Sequence, residues 1–195
     1  LKLKVNNYIE RMFALYAPAT FLSLFIDDCI TKGKDYYNGG ARYNTTYIQC
    51  TGLGTTTDCF ATIKKHVFED KRYTMDELLN AVAANFEGHE KMRQYIMNRT
   101  PFFGNDDEYA DAIAVKVYED LVKAIKGHPN TRGGETQLNM LSTTCHNYFG
   151  SVCHATPNGR LAHFAISDGT SPAHGADTNG PTSVIKSLGK LDQTQ

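Results

Sequence analysis

Between Thr45 and Phe68 the sequence changes its period once, and that change commits the chain to a mixed architecture. Thr45-Thr-Tyr-Ile-Gln-Cys50 has the β-branched and aromatic content of a strand. Thr51-Gly-Leu-Gly54 then turns the chain, and Ala61, Ile63, Val67 and Phe68 recur at the spacing of a helix that covers the strand just finished. A strand followed by a covering helix is a βα unit, so the chain is expected to be of the α/β class.

The remaining punctuation is mostly helical. Ile9, Met12 and Phe13 predict a helix from Val5 to Leu15, and Pro18 suits the first turn of a second helix that reaches about Thr31 and stops at Gly33. Asp35 to Asn44 has the Asn and Gly density of a loop feeding the strand. Thr74-Met-Asp-Glu77 has capping-box spacing and opens a helix through Leu78, Leu79, Val82 and Ala83; another is expected from about His89 to Met97. Asn105-Asp-Asp-Glu108 places a cap and acidic residues where the helix dipole favours them, ahead of Ile113, Val117, Leu121 and Ile125.

After Pro129 the composition changes. Gly133-Gly134 and Gln137 to Cys145 read as a loop and a strand, on which Leu141 and Thr143 share one face because strand periodicity is two. Ser167 to Pro181 is rich in Gly, Ser, Thr, Asp and Pro, and so long an irregular segment is usually functional or disordered. Pro181 can occupy the first turn of a last helix through Val184, Ile185 and Leu188, which pins the segment at its far end and favours function. No repeat or linker divides residues 1–195. Leu1 stands where a starting methionine would, and Gln195 closely follows a helix-like stretch, so both ends read as cut.

Charge and cysteine usage exclude several classes. Twenty basic against 21 acidic residues give a net charge of -1 with no long run of either sign, unlike a nucleic-acid binder. The longest strongly apolar stretch, Phe21 to Ile26, is far below the ~20 residues needed to cross a bilayer, so no membrane association is expected. The 5 cysteines are odd in number, widely spaced and without a CxxC pair, which fits a reducing cytoplasm better than a secreted disulfide framework.

Four patterns invite a chemical reading. Gly52-Leu-Gly54 begins like a dinucleotide fingerprint but lacks the third glycine, so a tight turn is preferred. Cys145-His146 and Cys153-His154 are of zinc-ligand type, yet neighbours on a strand point to opposite faces and would struggle to share one ion. Packed cysteines and locally bonded histidines are the ordinary outcome. Ser142, Thr143 and Thr144 lie near His146, but no nucleophile elbow accompanies them. The Ser167–Thr182 run, with Asp168, His174 and Asp177, either satisfies its own backbone or organises a polar substrate.

Two long runs have a family look. Gly39-Gly-Ala-Arg-Tyr-Asn-Thr-Thr-Tyr-Ile-Gln-Cys-Thr-Gly-Leu-Gly54 and Ser167-Asp-Gly-Thr-Ser-Pro-Ala-His-Gly-Ala-Asp-Thr-Asn-Gly-Pro-Thr-Ser-Val-Ile-Lys-Ser-Leu-Gly189 resemble the glycyl radical enzymes of the pyruvate formate-lyase superfamily. The resemblance takes in Thr156-Pro-Asn-Gly-Arg-Leu-Ala162 and nearly the whole chain, and is nearest to the dehydratase and decarboxylase branch.

That resemblance implies a ten-stranded α/β barrel of two half-barrels, with residues 1–195 an internal piece of the second half and the glycyl radical domain absent. It implies a protein-based glycyl radical that generates a thiyl radical, which abstracts hydrogen from a small-molecule substrate, and no metal in the enzyme itself. The radical glycine of such enzymes lies in an Arg-Val-Ala-Gly-Tyr type run and the thiyl cysteine in a Gly-Cys-Val-Glu type run; neither occurs here, so no catalytic residue is assigned and this chain alone is expected to be inactive. A radical S-adenosylmethionine activating enzyme with an iron–sulfur cluster and a homodimeric state are further implications. The substrate implied is hydroxyproline or a similar small hydroxylated molecule, and another radical lyase reaction is the alternative. Leu141 carries over as an apolar substrate contact and Thr143 as a polar one. The reading from a different class is a non-catalytic binding or metal-binding module that uses the Cys-His pairs.

Overall fold

A computed structural model describes residues 1–194, which fall into two compact units: 1–49 with 121–139, and 50–120 with 140–194. The first unit contains α1 (Lys2–Tyr16), α2 (Thr20–Ser23), α3 (Cys29–Lys32), a 3-10 turn (Tyr36–Asn38) and the strands β1 (Thr46–Gln49) and β2 (Thr136–Asn139). The strands pair in parallel, Thr46 opposite Thr136 and Gln49 opposite Asn139. A parallel pair cannot be closed by a tight turn and needs a long crossover, here residues 50–135 with their helices.

Along β1, Thr46 and Ile48 are buried while Tyr47 and Gln49 are exposed. Parallel sheets are normally covered on both faces, so Tyr47 at 60% exposure marks a bare face. A polar network holds the other. Asn130 Nδ2 and Arg132 Nη2 donate to Thr46 Oγ1 at 2.9 and 3.1 Å, and the Thr46 hydroxyl donates to Glu10. Glu10 Oε2 accepts from the Thr131 amide and hydroxyl at 3.2 and 2.7 Å. Burial alone would raise the Glu10 carboxyl, but these hydrogen bonds and the Arg132 charge bring it below the usual carboxylate range.

The second helix expected from Pro18 to Thr31 is broken into α2 and α3. Ser23 explains the interruption: its one hydroxyl proton is shared between Ala19 O and Asp35 Oδ2, each 2.8 Å away, and its oxygen accepts from the Tyr36 amide. Local side-chain bonds of this kind compete with the helical ladder. Gly33, at φ 59°, ends α3 as expected.

The second unit contains α4 (Leu53–Thr62), continued by a π-helical stretch (Ile63–Glu69), then α5 (Met75–Ala83), α6 (Glu90–Arg99), α8 (Cys145–Val152) and α9 (Pro181–Gly189); α7 spans Glu108–Ile125. Its core gathers Leu78, Ala81, Phe86, Ile96 and Ala155. Phe86 holds a left-handed backbone at φ 60°. That conformation costs about 1–2 kcal/mol, which burial of the ring, on the order of 2–3 kcal/mol, offsets.

The capping box is present in full: Thr74 Oγ1 accepts from the Glu77 amide at 3.2 Å and Glu77 Oε2 from the Thr74 amide at 2.7 Å. At α7 the cap is Asp107, whose Oδ1 accepts from the Tyr109 amide at 2.9 Å, while Asn105 is used elsewhere. Pro181 opens α9 as expected.

Two expectations are corrected. Gly52 alone, at φ 89°, makes the turn after β1, and Gly54 lies inside the first turn of α4. The strand expected from Gln137 to Cys145 ends at Asn139, residues 140–144 form a loop, and Cys145 begins a helix. Thr143 accounts for the change, since its hydroxyl accepts from the Cys145 amide at 3.3 Å and favours a turn over a ladder. The shared-face argument for Leu141 and Thr143 therefore does not apply, nor does the opposite-face argument for Cys145-His146.

Candidate functional site

The irregular segment after Ser167 is fastened to the start of α4. Ser167 Oγ accepts from the Thr55 amide at 3.0 Å, and Thr55 Oγ1 accepts from the Ser167 amide at 2.8 Å. Ser167 O accepts from the Gly52 amide at 2.9 Å and from the Thr51 hydroxyl at 3.0 Å. Both Ser167 and Thr55 are buried, and neither hydroxyl oxygen is left without a partner. These amides are the ones a dinucleotide phosphate would need; the segment itself occupies them.

One residue further on, Asp168 reaches the 140–144 loop. Its Oδ1 accepts from the Thr143 amide at 3.1 Å. His146 Nδ1 lies 2.7 Å from Thr143 O and 3.5 Å from Asp168 Oδ1. A carbonyl only accepts, so Nδ1 carries the proton. His146 therefore faces a carbonyl and no hydroxyl, which removes the nucleophile–base pairing among Ser142, Thr143 and Thr144. Gly169, at φ 45°, lies against the loop so closely that a Cβ there would fall 2.4 Å from Met140 O. His174 packs its ring edge-on to His146, centroids 5.4 Å apart.

The sequence-derived contacts thus lie on a tethered loop: Leu141 is 62% exposed, and Thr143 is half-buried with its hydroxyl oxygen already accepting one hydrogen bond. Asn105 stands where the sequence suggests a helix cap and Arg160 has no individual role there, yet both tie irregular chain together. Asn105 Nδ2 donates to Ala176 O at 2.7 Å and its Oδ1 accepts from the Asn179 amide at 3.0 Å. Arg160 donates to Leu161 O, Phe164 O and His154 O, and to Thr156 Oγ1. Each stands beside a glycine, Gly104 or Gly159, which marks a turn without naming its distant partners.

A cavity of about 490 Å³ opens in the same unit, walled by Asp58, Arg93, Phe102, Asn158, Arg160 and His174 among others. Asp58 is wholly buried; its Oδ1 accepts from the Phe103 amide at 2.9 Å and its Oδ2 has no partner among the described residues. Burial pushes its carboxyl well above the usual range, against the Phe103 bond. The folded state thus holds this proton to higher pH than the unfolded chain. Its stabilising contribution is complete below the unfolded carboxylate range, near pH ~4, and is lost as pH rises towards the folded value. Asp58→Asn keeps the acceptor for Phe103 and removes the titration. Urea midpoints between pH 5 and 8 are expected to fall more for the native protein than for Asp58→Asn, and equal slopes would refute the assignment.

Among the described residues no three His, Cys, Asp or Glu side chains gather to hold a metal ion, and none of the helices is long and apolar enough to cross a membrane. Among the described residues the 5 cysteines form no disulfide.

The chain belongs to the pyruvate formate lyase-like family, whose profile matches residues 1–150. It is 50% identical over 192 residues to trans-4-hydroxy-L-proline dehydratase of Clostridioides difficile, covering 98% of this chain and 24% of that protein. The crystal structure of that dehydratase with trans-4-hydroxy-L-proline bound matches with a TM-score of 0.93 over 98% of this chain and 24% of its own. Isethionate sulfite-lyase of Bilophila wadsworthia is 46% identical over 144 residues, 74% of this chain and 17% of that protein. A glycyl radical enzyme from Archaeoglobus fulgidus is 34% identical with a TM-score of 0.90, covering 97% and 24%. The chain therefore spans about a quarter of the length of the relatives it matches. The family and the α/β class expected from sequence hold, and the mixed helix and parallel pair are those of part of an α/β barrel.

Proposed function

We propose that this chain forms part of the substrate-chamber wall of a glycyl radical lyase that dehydrates trans-4-hydroxy-L-proline or a similar small hydroxylated substrate. The observation that carries the reading is 50% identity to a hydroxyproline dehydratase over nearly every residue of the chain. A glycyl radical elsewhere in the complete enzyme would supply the hydrogen-atom abstraction, after activation by a radical S-adenosylmethionine enzyme with an iron–sulfur cluster. A homodimer in the cytoplasm belongs to the same proposal.

Within this chain, Leu141 gives the substrate an apolar contact and Thr143 a hydrogen bond. The outward Leu141 supports that role, because a chamber wall needs uncovered side chains on its inner side. Closure of such a chamber keeps water from reactive intermediates.

Anaerobic incubation of the activated complete enzyme with trans-4-hydroxy-L-proline, followed by mass spectrometry of the products, tests the substrate. Loss of water supports the reading, and an unchanged substrate overturns it. The 46% identity to isethionate sulfite-lyase favours a second reading in which isethionate is consumed instead, so the same assay includes it. Thr143→Val is expected to lower kcat/KM about tenfold, the worth of one hydrogen bond of about 1.4 kcal/mol, with the radical's electron paramagnetic resonance signal intact. Unchanged kinetics would remove Thr143 from the chamber.

A further inference from the structure

The strongest unassigned feature is the treatment of the Thr143 main chain. Its amide donates to Asp168 Oδ1 at 3.1 Å and its carbonyl accepts from His146 Nδ1 at 2.7 Å. One residue on the 140–144 connection between β2 and α8 thus has both backbone polar groups held by side chains. Neither partner belongs to that connection: His146 lies in α8, and Asp168 in the segment fastened to α4 through Ser167 and Thr55. Asp168 and His146 are also 3.5 Å apart and mostly shielded, at 21% and 13% side-chain exposure, so the three groups form one closed set.

The consequence falls on the Thr143 hydroxyl. Its oxygen accepts from the Cys145 amide at 3.3 Å, which fixes the side-chain rotamer but uses only a lone pair. The hydroxyl hydrogen has no acceptor in the hydrogen bonds of the described residues. Thr143 is therefore arranged with a donor to offer, its backbone committed and its rotamer set by the bond its oxygen accepts.

We infer that Asp168 and His146 are positioning residues that clamp the Thr143 backbone from both sides so that its hydroxyl donates a hydrogen bond to an acceptor oxygen of the substrate, a carboxylate or hydroxyl. The inference rests on Thr143 meeting substrate, as proposed above. It adds the polarity of the contact and the two groups that enforce it. A binding site gains from such prior ordering because the loop's entropy is lost before the substrate arrives.

A double-mutant cycle in the activated complete enzyme, with trans-4-hydroxy-L-proline as the probe, separates the clamp from ordinary stability. Asp168→Ala and His146→Ala are each expected to raise KM about tenfold, the equivalent of one lost hydrogen bond, with radical content unchanged. Asp168→Asn retains the Oδ1 acceptor, and His146→Asn can offer its Nδ2 donor where Nδ1 sits; both are expected to restore most of the lost affinity. In a Thr143→Val background, Asp168→Ala should raise KM by less than twofold further, since coupled residues are not additive. If Thr143→Val raises KM while Asp168→Ala and His146→Ala leave it alone, the clamp is wrong and the Thr143 contact survives. If Thr143→Val is itself silent, the contact fails first. Full additivity of Asp168→Ala and Thr143→Val also overturns the clamp.

Discussion

Lys190→Met is expected to destabilise the second unit by about 3 kcal/mol, the cost of stranding a buried charge. Lys190 Nζ lies 2.7 Å from Asp111 Oδ2, with Glu108 Oε2 at 3.1 Å and Asp106 Oδ1 at 3.5 Å. Asp111 is fully buried and its Oδ1 has no partner among the described residues, so the lysine is its principal compensation. The side-chain hydrogen bond to Asp111 raises the Lys190 ammonium well above its ordinary range, and that bond outweighs its partial burial. Lys186→Met is the control. Its partner Asp106 reaches solvent, and an exposed pair of this kind is worth about 0–1 kcal/mol. Urea denaturation should show a large shift for Lys190→Met, a small one for Lys186→Met, and recovery when Asp111→Asn is combined with Lys190→Met. Equal shifts for the two single variants would refute the buried pair. The ion pair also matters for the site: Lys190 follows α9 directly, so it anchors the far end of the segment that begins at Ser167.

How far the site was legible follows from the range of each signal. Helices announced by local chemistry were readable, as Thr74 with Glu77, Gly33 and Pro181 show, because their causes lie within a few residues. The α/β class was readable from one βα period change. The 140–152 region was misread because Leu141 and Thr143 alternate like strand residues, while the deciding bond, Thr143 to the Cys145 amide, is a side-chain turn that binary patterning ignores. Asn105 was read as a helix cap because its type and position suited one, yet its partners Ala176 and Asn179 lie some seventy residues away, beyond any local rule. Ser167 with Thr55 is the same case at greater range. Such contacts enter a sequence reading only through family resemblance, which marked the Ser167–Gly189 run without saying what it touches.

Gly54→Ala sets one local rule against one long-range contact, and its sign decides between them. In the interior of a helix, alanine is favoured over glycine by about 1 kcal/mol, so α4 considered alone predicts a gain. A Cβ at position 54, however, would lie 2.6 Å from Ser171 O, 2.9 Å from Ala173 N and 3.0 Å from Pro172 C. All three are main-chain atoms of the irregular segment, which cannot swing aside as a flexible side chain can. Overpacking of this kind costs about 1–3 kcal/mol, enough to cancel the helical gain and leave a net loss. Gly189→Ala is the matched control, since that glycine also lies in a helix and a Cβ there meets nothing within 4 Å. The expected result is a lower urea midpoint for Gly54→Ala and an unchanged or higher one for Gly189→Ala. Because Ser171 to Ala173 lead from Asp168 to His174, the displaced segment should also loosen the Thr143 loop, so KM of the complete enzyme is expected to rise for Gly54→Ala alone. A Gly54→Ala protein more stable than its parent would mean that the segment does not lie against α4, and the tether from Ser167 to the Thr143 loop would lose its support.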